Sequence, residues 1–230
     1  MKITWLGHSG FRIEIAGEVL LLDPWLRGNP SFDEKHFDAA TKGATAILVS
    51  HGHGDHIGAA PEIGRNTGAK LYGTYDLMTW LERTEKVDVV GFNKGGTVRI
   101  GAVAVTLVGA LHSSSATVDG APVYMGTEGG FVIAGEGRTI YFTGDTDVMA
   151  DMGLIAELHA PDIGILCMGG HFTMDQRRAA YACNKFFKFR DVIPCHYKTF
   201  PLLAQNADEL AAAIAPTPVH QIGVMGSVTL

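Results

Sequence analysis

The sequence predicts an α/β fold of stacked sheets and helices, divided into two similar halves at roughly residues 1–115 and 116–230. Three observations lead to this prediction: strand-length apolar runs alternate with segments of helical periodicity, glycines separate the runs, and one strand-turn-strand pattern occurs twice. A chain of 230 residues, 47% of them hydrophobic, can bury a complete core. We therefore expect residues 1–230 to form a single domain.

The predicted elements follow in chain order. Short β-rich runs bounded by Gly, Pro or Asp occupy residues 3–6, 11–15, 19–22 and 46–49. Helical patterns occupy residues 57–66, 75–84, 149–159, 174–187 and 208–215. Because strands and helices alternate, we expect each half to carry its helices on one side of its strands.

An internal repeat supports the two halves. The segment GFRIEIAGE at residues 10–18 is similar to GFVIAGE at residues 130–136, and the strand VLLLDP is similar to IYFTGD further along. Another pair of similar segments places His51 and His171 at equivalent positions, 171 − 51 = 120 residues apart. Chance similarity between strand-turn-strand units is the alternative interpretation.

Charge, hydropathy and cysteine content argue against several classes of protein. The net charge of −6 is spread without a basic run, so we expect no nucleic-acid surface. The longest apolar stretch, residues 101–111, is too short for a membrane-spanning helix, and the N-terminus reads as strands rather than as a signal peptide. Three widely spaced cysteines without a Cys-x-x-Cys pattern indicate a reducing compartment, and the expected location is the cytoplasm.

Three histidines and an aspartate fall within six residues, in the segment HGHGDH at residues 51–56. Neutral imidazoles and a carboxylate form a ligand set that a divalent ion such as zinc prefers. Strand alternation directs His51 and His53 to one side, while Asp55 and His56 fall where the next helix begins. The two glycines between them are expected to permit a tight turn, since glycine tolerates positive φ and has no Cβ. A solvated histidine-rich loop, the alternative, does not explain the position at the end of a buried strand.

The segment HGHGDH matches the H-x-H-x-D-H motif of the metallo-β-lactamase superfamily without substitution, and the resemblance covers essentially the whole chain. The segments ITWLGHSGFRIE, LLLDPW and MGGHFTMD are most similar to a branch of small metal-dependent hydrolases, related to ascorbate-phosphate lactonases and N-acyl phospholipases. The resemblance implies a four-layer αββα sandwich of two similar halves. Related small hydrolases often self-associate, so the resemblance leaves a homo-oligomer open and does not fix the oligomeric state.

The other ligands implied by the resemblance each end an apolar run. His112, Asp145 and His196 follow such runs, and their order matches the third histidine, bridging aspartate and final histidine of the superfamily. A strand-end histidine taken alone is more often a surface or capping residue. The resemblance implies two metal ions, the first bound by His51, His53 and His112, the second by Asp55, His56 and His196, with Asp145 bridging both.

Four further residues near these ligands are expected to have roles other than metal binding. His171, in MGGHFT, is expected to contact substrate or act as a general acid, with a hydrogen-bonded structural histidine as the alternative. His8, in GHS, is a weaker candidate of the same kind. The resemblance implies that Asp23 supports the ligand loop by hydrogen bonds instead of binding an ion. Cys195, adjacent to His196 on a strand, is expected to point into the core.

These features predict a metal-dependent hydrolase acting on a small-molecule substrate. A metal-bound hydroxide would attack a carbonyl carbon or a phosphorus atom, with Asp55 relaying a proton and His171 donating one. The branch resemblance favours an ester-type bond, a phosphodiester or a lactone. Zinc is the expected ion, with Mn²⁺, Fe²⁺ or Ni²⁺ as alternatives. A diiron redox protein, which usually has a carboxylate where His53 stands, and a non-catalytic metal-binding protein are the alternative functions.

Overall fold

The predicted alternation of strands and helices is present in the computed structural model, which describes residues 1–230. The strands are β1 (Lys2–Trp5), β2 (Phe11–Ile15), β3 (Glu18–Leu22), β4 (Ala46–Leu48), β5 (Lys70–Thr74), β6 (Val89–Phe92), β7 (Thr97–Ile100), β8 (Val103–Gly109), β9 (Ser115–Val118), β10 (Ala121–Tyr124), β11 (Gly129–Gly135), β12 (Arg138–Phe142), β13 (Ile163–Cys167), β14 (Asp191–Cys195) and β15 (Ser227–Thr229). The α-helices are α1 (Phe37–Thr41), α2 (Gly54–Ile57), α3 (Ala60–Thr67), α4 (Tyr75–Glu85), α5 (Asp151–His159), α6 (Gln176–Phe186) and α7 (Asp208–Ala213). None of these helices has the length and apolar composition needed to cross a membrane.

The strands form two large sheets and one hairpin. The first sheet has the order β15-β1-β2-β3-β4-β5-β6, the second has the order β14-β13-β12-β11-β8-β7, and β9 pairs with β10. In the first sheet β2 and β3 are antiparallel, while β3, β4 and β5 are parallel. Strands β11 to β14 repeat this pattern in the second sheet.

The register of the two sheets also repeats. Phe11 pairs with Leu22 in the first sheet, and Phe131 pairs with Phe142 in the second. Each residue of the second pair lies 120 positions after its counterpart, since 131 − 11 and 142 − 22 both equal 120. For these strands the similarity seen in the sequence is therefore a similarity of structure.

The predicted equivalence of His51 and His171 does not hold. Leu48 of β4 and Ile165 of β13 occupy equivalent positions and lie 165 − 48 = 117 residues apart, not 120.

The sheets do not divide at the predicted boundary between residues 1–115 and 116–230. Strands β7 and β8 precede residue 115 but lie in the second sheet, where β8 pairs with β11. Strand β15, near the C-terminus, pairs with β1 in the first sheet. In both places the added strands extend a sheet by backbone hydrogen bonds, and β15 and β7 become the outer strands.

Helices α3, α5 and α6 begin two or three residues later than the apolar periodicity indicated, and two of these delays have a local reason. Helix α6 begins at Gln176 because the side chain of Asp175 accepts a hydrogen bond from the backbone of Arg178, which caps the helix. Helix α3 begins at Ala60 because the short helix α2 stops at Ile57 and is followed by Gly58, whose φ is 44°. The motif residues Asp55 and His56 therefore lie on a helix of their own.

Apolar side chains hold the layers together. The larger core joins the facing sides of the two sheets, with Phe11 of β2 and Phe131 of β11 both fully buried, and helices α5, α6 and α7 contribute to it. The smaller core joins the other side of the first sheet, including Ile47, to α1, α3 and α4. The layers run helix, sheet, sheet, helix, and the predicted αββα fold is confirmed.

Candidate metal centre

The predicted ligands lie where parallel strands end. His51 follows β4, Asp145 follows β12 and His196 follows β14. The carboxyl ends of parallel strands lie at one edge of a sheet, which is where α/β proteins bind ligands. Here loops from both sheets border one cavity of about 350 Å³, lined by His53, Asp55, His112, Ser113, Asp145, Phe172, His196 and Phe200.

Three imidazoles form the first group of ligands. One ring nitrogen from each of His51, His53 and His112 lies within 4.8 Å of the other two. His51 Nε2 is 2.9 Å from His53 Nδ1. The loop of His112 is held by its own backbone N–H, which donates to the carboxylate of Glu128 at 3.1 Å. The three rings can therefore converge on one ion.

The second group combines a carboxylate with imidazoles. One donor atom from each of Asp55, His56 and His196 lies within 4.8 Å of the others, and His8 lies in the same group. Asp55 Oδ2 is 3.8 Å from His56 Nε2 and 3.9 Å from His196 Nε2. These spacings leave the three side chains around a common point, as a second ion would require.

Asp145 lies between the two groups. Its Oδ2 atom is 3.0 Å from His196 Nε2 and 3.3 Å from His56 Nε2, in the second group. The same atom is 3.7 Å from His112 Nε2, in the first group. A carboxylate in contact with both groups has the placement that a bridging ligand needs.

Two donor atoms of the predicted ligands have no hydrogen-bond partner in the protein. His56 Nε2 and Asp145 Oδ1 are buried and make no hydrogen bond. Leaving such an atom unpaired costs about 1–3 kcal/mol, so buried polar atoms normally have a partner. Imidazoles and carboxylates are the ligands that zinc and related divalent ions take. The residues present therefore fit a site for divalent metal ions.

Burial and neighbouring charges shift the pKa values across the cluster. Burial, together with the nearby His56, lowers the pKa of His51 well below its usual value. Burial would raise the pKa of Asp145, but His56 and His196 hold it well below the usual value. Burial would lower the pKa of His56, yet Asp145 and Asp23 raise it. The directions of the pKa shifts of His51 and Asp145 favour the neutral imidazole and the carboxylate, which are the forms that bind metal, whereas the raised pKa of His56 opposes the proton release that metal binding requires.

Asp23 supports the ligand loop through three hydrogen bonds. Its carboxylate accepts from the backbone N–H of Ser50 at 2.7 Å, from the Ser50 hydroxyl at 2.6 Å and from His56 Nδ1 at 2.6 Å. A carboxylate on the far nitrogen fixes the tautomer and orientation of a metal-binding histidine. With Nδ1 occupied in this way, His56 presents Nε2 to the cluster. Both oxygens of Asp23 are used, so its geometry is that of a supporting residue.

The two glycines of the motif do not act as predicted. Neither Gly52 nor Gly54 has a positive φ. A Cβ atom on Gly52 would lie 2.8 Å from Met125 Cβ and 3.3 Å from Ser114 Oγ, whereas a Cβ atom on Gly54 would meet nothing within 4 Å. The prediction of a backbone that needs glycine twice was wrong. Position 52 requires glycine only because a Cβ there would collide with its neighbours, whereas position 54 has room for a Cβ.

His171 lies at the rim of the cavity. Its side chain is exposed and is not among those that line the cavity, although its ring is 4.5 Å from that of Phe172, which does line it. The loop after β13 therefore directs Phe172 inward and His171 towards solvent. The predicted role of His171 as a proton donor stays a prediction.

The sequence contained no indication of a role for Phe172 and Phe200, and it favoured His171 over His8 as the residue that contacts substrate. His8 is fully buried, and its Nε2 is 3.0 Å from Asp55 Oδ2. The signal for His8 was its position in a glycine-containing turn at the end of a strand. The two phenylalanines carry no signal that separates them from core residues, because only the fold brings them to the cavity.

Comparison with known proteins agrees with this geometry. The model of the beta-lactamase superfamily domain matches residues 2–196. The chain is 58% identical to a metal-dependent hydrolase of Dinoroseobacter shibae and 57% identical to one of Cereibacter sphaeroides, and in each case the match covers 100% of both chains. Igni18, a metallo hydrolase from the archaeon Ignicoccus hospitalis, is 31% identical with a TM-score of 0.85, over 99% of this chain and 97% of that one. The chain belongs to the metallo-β-lactamase superfamily and is a metal-dependent hydrolase.

Proposed function

We propose that the chain uses two divalent metal ions, zinc by preference, to hydrolyse an ester-type bond in a small molecule, either a phosphodiester or a lactone. The observation that supports two ions is the position of Asp145, whose Oδ2 lies within 3.7 Å of His112 Nε2 and within 3.0 Å of His196 Nε2. The first ion is assigned to His51, His53 and His112, the second to Asp55, His56 and His196, and Asp145 to both.

The ions, when bound, would lower the pKa of a coordinated water and polarise a carbonyl or phosphoryl oxygen of the substrate. Asp55 lines the cavity and keeps one carboxylate oxygen free of hydrogen bonds, so it can accept the proton of the attacking water. Burial would raise the pKa of Asp55, but His56 and His8 hold it far below its usual value, and the carboxylate is ionised. His171, at the rim, is assigned to donate a proton to the leaving group.

The lining of the cavity supports a substrate with one reacting group and an apolar remainder. Apart from the predicted ligands, the lining consists of Ser113, Phe172 and Phe200, without lysine or arginine. Phe172 is 51% exposed, which is high for a large apolar side chain beside an active site. An additional phosphate group on the substrate would meet no basic side chain there. Lactones and phosphodiesters with apolar or aromatic substituents suit this lining.

Metal analysis of the purified protein tests the two-ion assignment. We expect two zinc ions per chain, and we expect the variant D145N to lose metal and activity together because the bridging charge is removed. D147N is a matched control, since Asp147 is a partly exposed carboxylate two positions along the chain that pairs with Arg178. Unchanged metal stoichiometry in D145N would contradict the bridging role, and an iron-dependent visible absorption would favour the redox alternative.

A substrate screen tests the bond that is cleaved. Chromogenic phosphodiesters, lactones and thioesters are to be compared at equal concentration with the two-zinc protein. We expect turnover of a phosphodiester or a lactone, and substrates with aromatic substituents should be preferred to those with charged ones. Turnover confined to thioesters would overturn the ester-type assignment.

The variant H171A tests the proton donor. Because His171 binds no ion in this proposal, the variant should keep two zinc ions while turnover falls by roughly 10²–10⁴-fold, as for loss of an acid-base group. A substrate whose leaving group needs no proton, such as a p-nitrophenyl ester, should be much less affected. Loss of metal, or an unchanged rate on all substrates, would remove His171 from the mechanism.

We also propose a cytoplasmic location. All three cysteines are free thiols in buried positions, as is common for proteins of a reducing compartment. Detection of the protein in the cytosolic fraction of its native cells would test this proposal.

A further inference from the structure

His8 lies in the turn between β1 and β2 and connects the two halves of the protein. Its backbone is left-handed, with φ of 53°, and follows Gly7 with φ of 90°. This backbone directs the His8 carbonyl to the second half, where it accepts a hydrogen bond from the backbone N–H of His196 at 3.0 Å. The same carbonyl accepts from Trp5 Nε1 at 2.9 Å. The turn therefore fixes the backbone of one predicted ligand.

The ring of His8 contacts a second predicted ligand. Its Nε2 is 3.0 Å from Asp55 Oδ2, and its Nδ1 is 2.9 Å from Thr199 Oγ1. At least one nitrogen of a histidine ring carries a proton. A carboxylate can only accept, so this proton lies on Nε2 and is donated to Asp55. The Thr199 hydroxyl has one proton and two acceptors within reach, His8 Nδ1 at 2.9 Å and the Tyr197 carbonyl oxygen at 3.2 Å. In the tautomer with Nε2 protonated, the nearer Nδ1 accepts it.

The oxygen of Asp55 that His8 holds is the one that faces the second group of ligands. Asp55 Oδ2 is 3.8 Å from His56 Nε2 and 3.9 Å from His196 Nε2. A carboxylate oxygen has two lone pairs, so Oδ2 can accept from His8 and still bind an ion.

We propose that His8 is a positioning residue that orients Asp55 for the second metal ion, and that Thr199 fixes the tautomer of His8 that does so. The inference rests on the two-ion site of the proposed function. Hydrogen-bond partners of this kind typically change metal affinity by about 10–100-fold. The effect should be confined to the second ion, because no ring contact of His8 reaches His51, His53 or His112.

Equilibrium dialysis against buffered Zn²⁺ of the full-length chain and two variants tests this role. H8L removes the donor, whereas H8Q offers a side-chain N–H close to the position of Nε2, and both replacements carry the same backbone strain at φ of 53°. We expect H8L to weaken binding of the second Zn²⁺ by roughly 10–100-fold and leave the first unchanged, while H8Q recovers most of the affinity. Circular dichroism confirms that each variant is folded.

A second pair of variants, T199V and T199S, tests the positioning role of His8 if H8L does not fold. T199V should weaken the second Zn²⁺ because His8 Nδ1 loses its donor, and T199S should restore it. Equal weakening by H8L and H8Q, or second-ion affinity in T199V equal to that of the wild type, would overturn the positioning role while leaving the two-ion site intact. A wild-type chain that binds only one Zn²⁺ would instead overturn the two-ion proposal and this inference with it.

Discussion

Replacing each glycine of the HGHGDH segment by alanine should change stability in opposite directions. A Cβ on Gly52 would lie 2.8 Å from Met125 Cβ, an atom that is close to the backbone and cannot rotate away. Gly54 is exposed and its Cβ would meet nothing within 4 Å. Gly54 is also the first residue of α2 and does not have a positive φ, so alanine fits there without strain. The two positions are separated by one residue and form a matched pair.

The magnitudes follow from these contacts. Overpacking of the kind expected in G52A costs about 1–3 kcal/mol, which lowers the Tm of a chain of this length by roughly 2–12 °C. Replacing glycine by alanine at a compatible position contributes about 0.4–1 kcal/mol, so G54A should raise the Tm by roughly 1–4 °C. G52A should also lower kcat/KM, because the displaced Ser114–Met125 segment follows directly after His112 and Ser113, which line the cavity.

Urea unfolding of the metal-free protein measures the two changes without a contribution from metal binding, and calorimetry gives the Tm values. The reasoning would be refuted if G52A were as stable as the wild type, or if G54A were destabilised as much as G52A. The second result would mean that both positions need glycine for backbone freedom, as the sequence alone had indicated.

Three further predictions concern the surroundings of the site. D23N should weaken Zn²⁺ binding by about 10–100-fold, because an amide has one acceptor oxygen and cannot accept all three hydrogen bonds from Ser50 and His56. D191N changes the partner of a similar 2.8 Å bond to His220 and should bind Zn²⁺ normally; equal affinities of the two variants in titration would contradict the role of Asp23. F172A should raise KM for aromatic substrates roughly tenfold with little change in kcat, since the ring supplies uniform binding, and unchanged steady-state kinetics would exclude the contact. The three cysteine thiols, whose pKa values burial raises, should react with a thiol reagent only after unfolding, and rapid labelling of the native protein would contradict their burial.

Much of the fold could be predicted because the relevant signals are local. The repeat of apolar runs and turns around Phe11 and Phe131 reappears as identical strand register. The order of the strands within the sheets was harder to predict from the sequence. Strand β8 pairs with β11, and β15 pairs with β1, although the paired residues are far apart in the chain. Local patterns report which segments are strands but contain little information about which distant strand becomes the partner.

The same distinction applies to the site. The predicted ligands share a chemical signature, namely histidine or aspartate at the end of a strand, which a sequence displays directly. Thr199 has no such signature, and its contact with His8 joins residues 191 positions apart. Phe172 is adjacent to the residue that the repeat singled out, His171, but the direction of each side chain depends on the loop backbone, where His171 has φ of 56°. The sequence therefore predicts which residues are ligands better than it predicts which residues orient those ligands or line the cavity.

The repeat also shows why Asp23 and Asp145 have different tasks. Asp23 directly follows β3, and the residue 120 positions later, Thr143, directly follows β12. Asp23 accepts a hydrogen bond from the backbone N–H of Ser50, and Thr143 Oγ1 accepts one in the same way from the backbone N–H of Cys167. Thr143 is therefore the counterpart of Asp23 in the second half, and Asp145 lies two residues further along. Because Asp145 has a buried oxygen without a partner in the protein, it is free to bind ions, whereas the fully satisfied carboxylate of Asp23 orients the residues that do so.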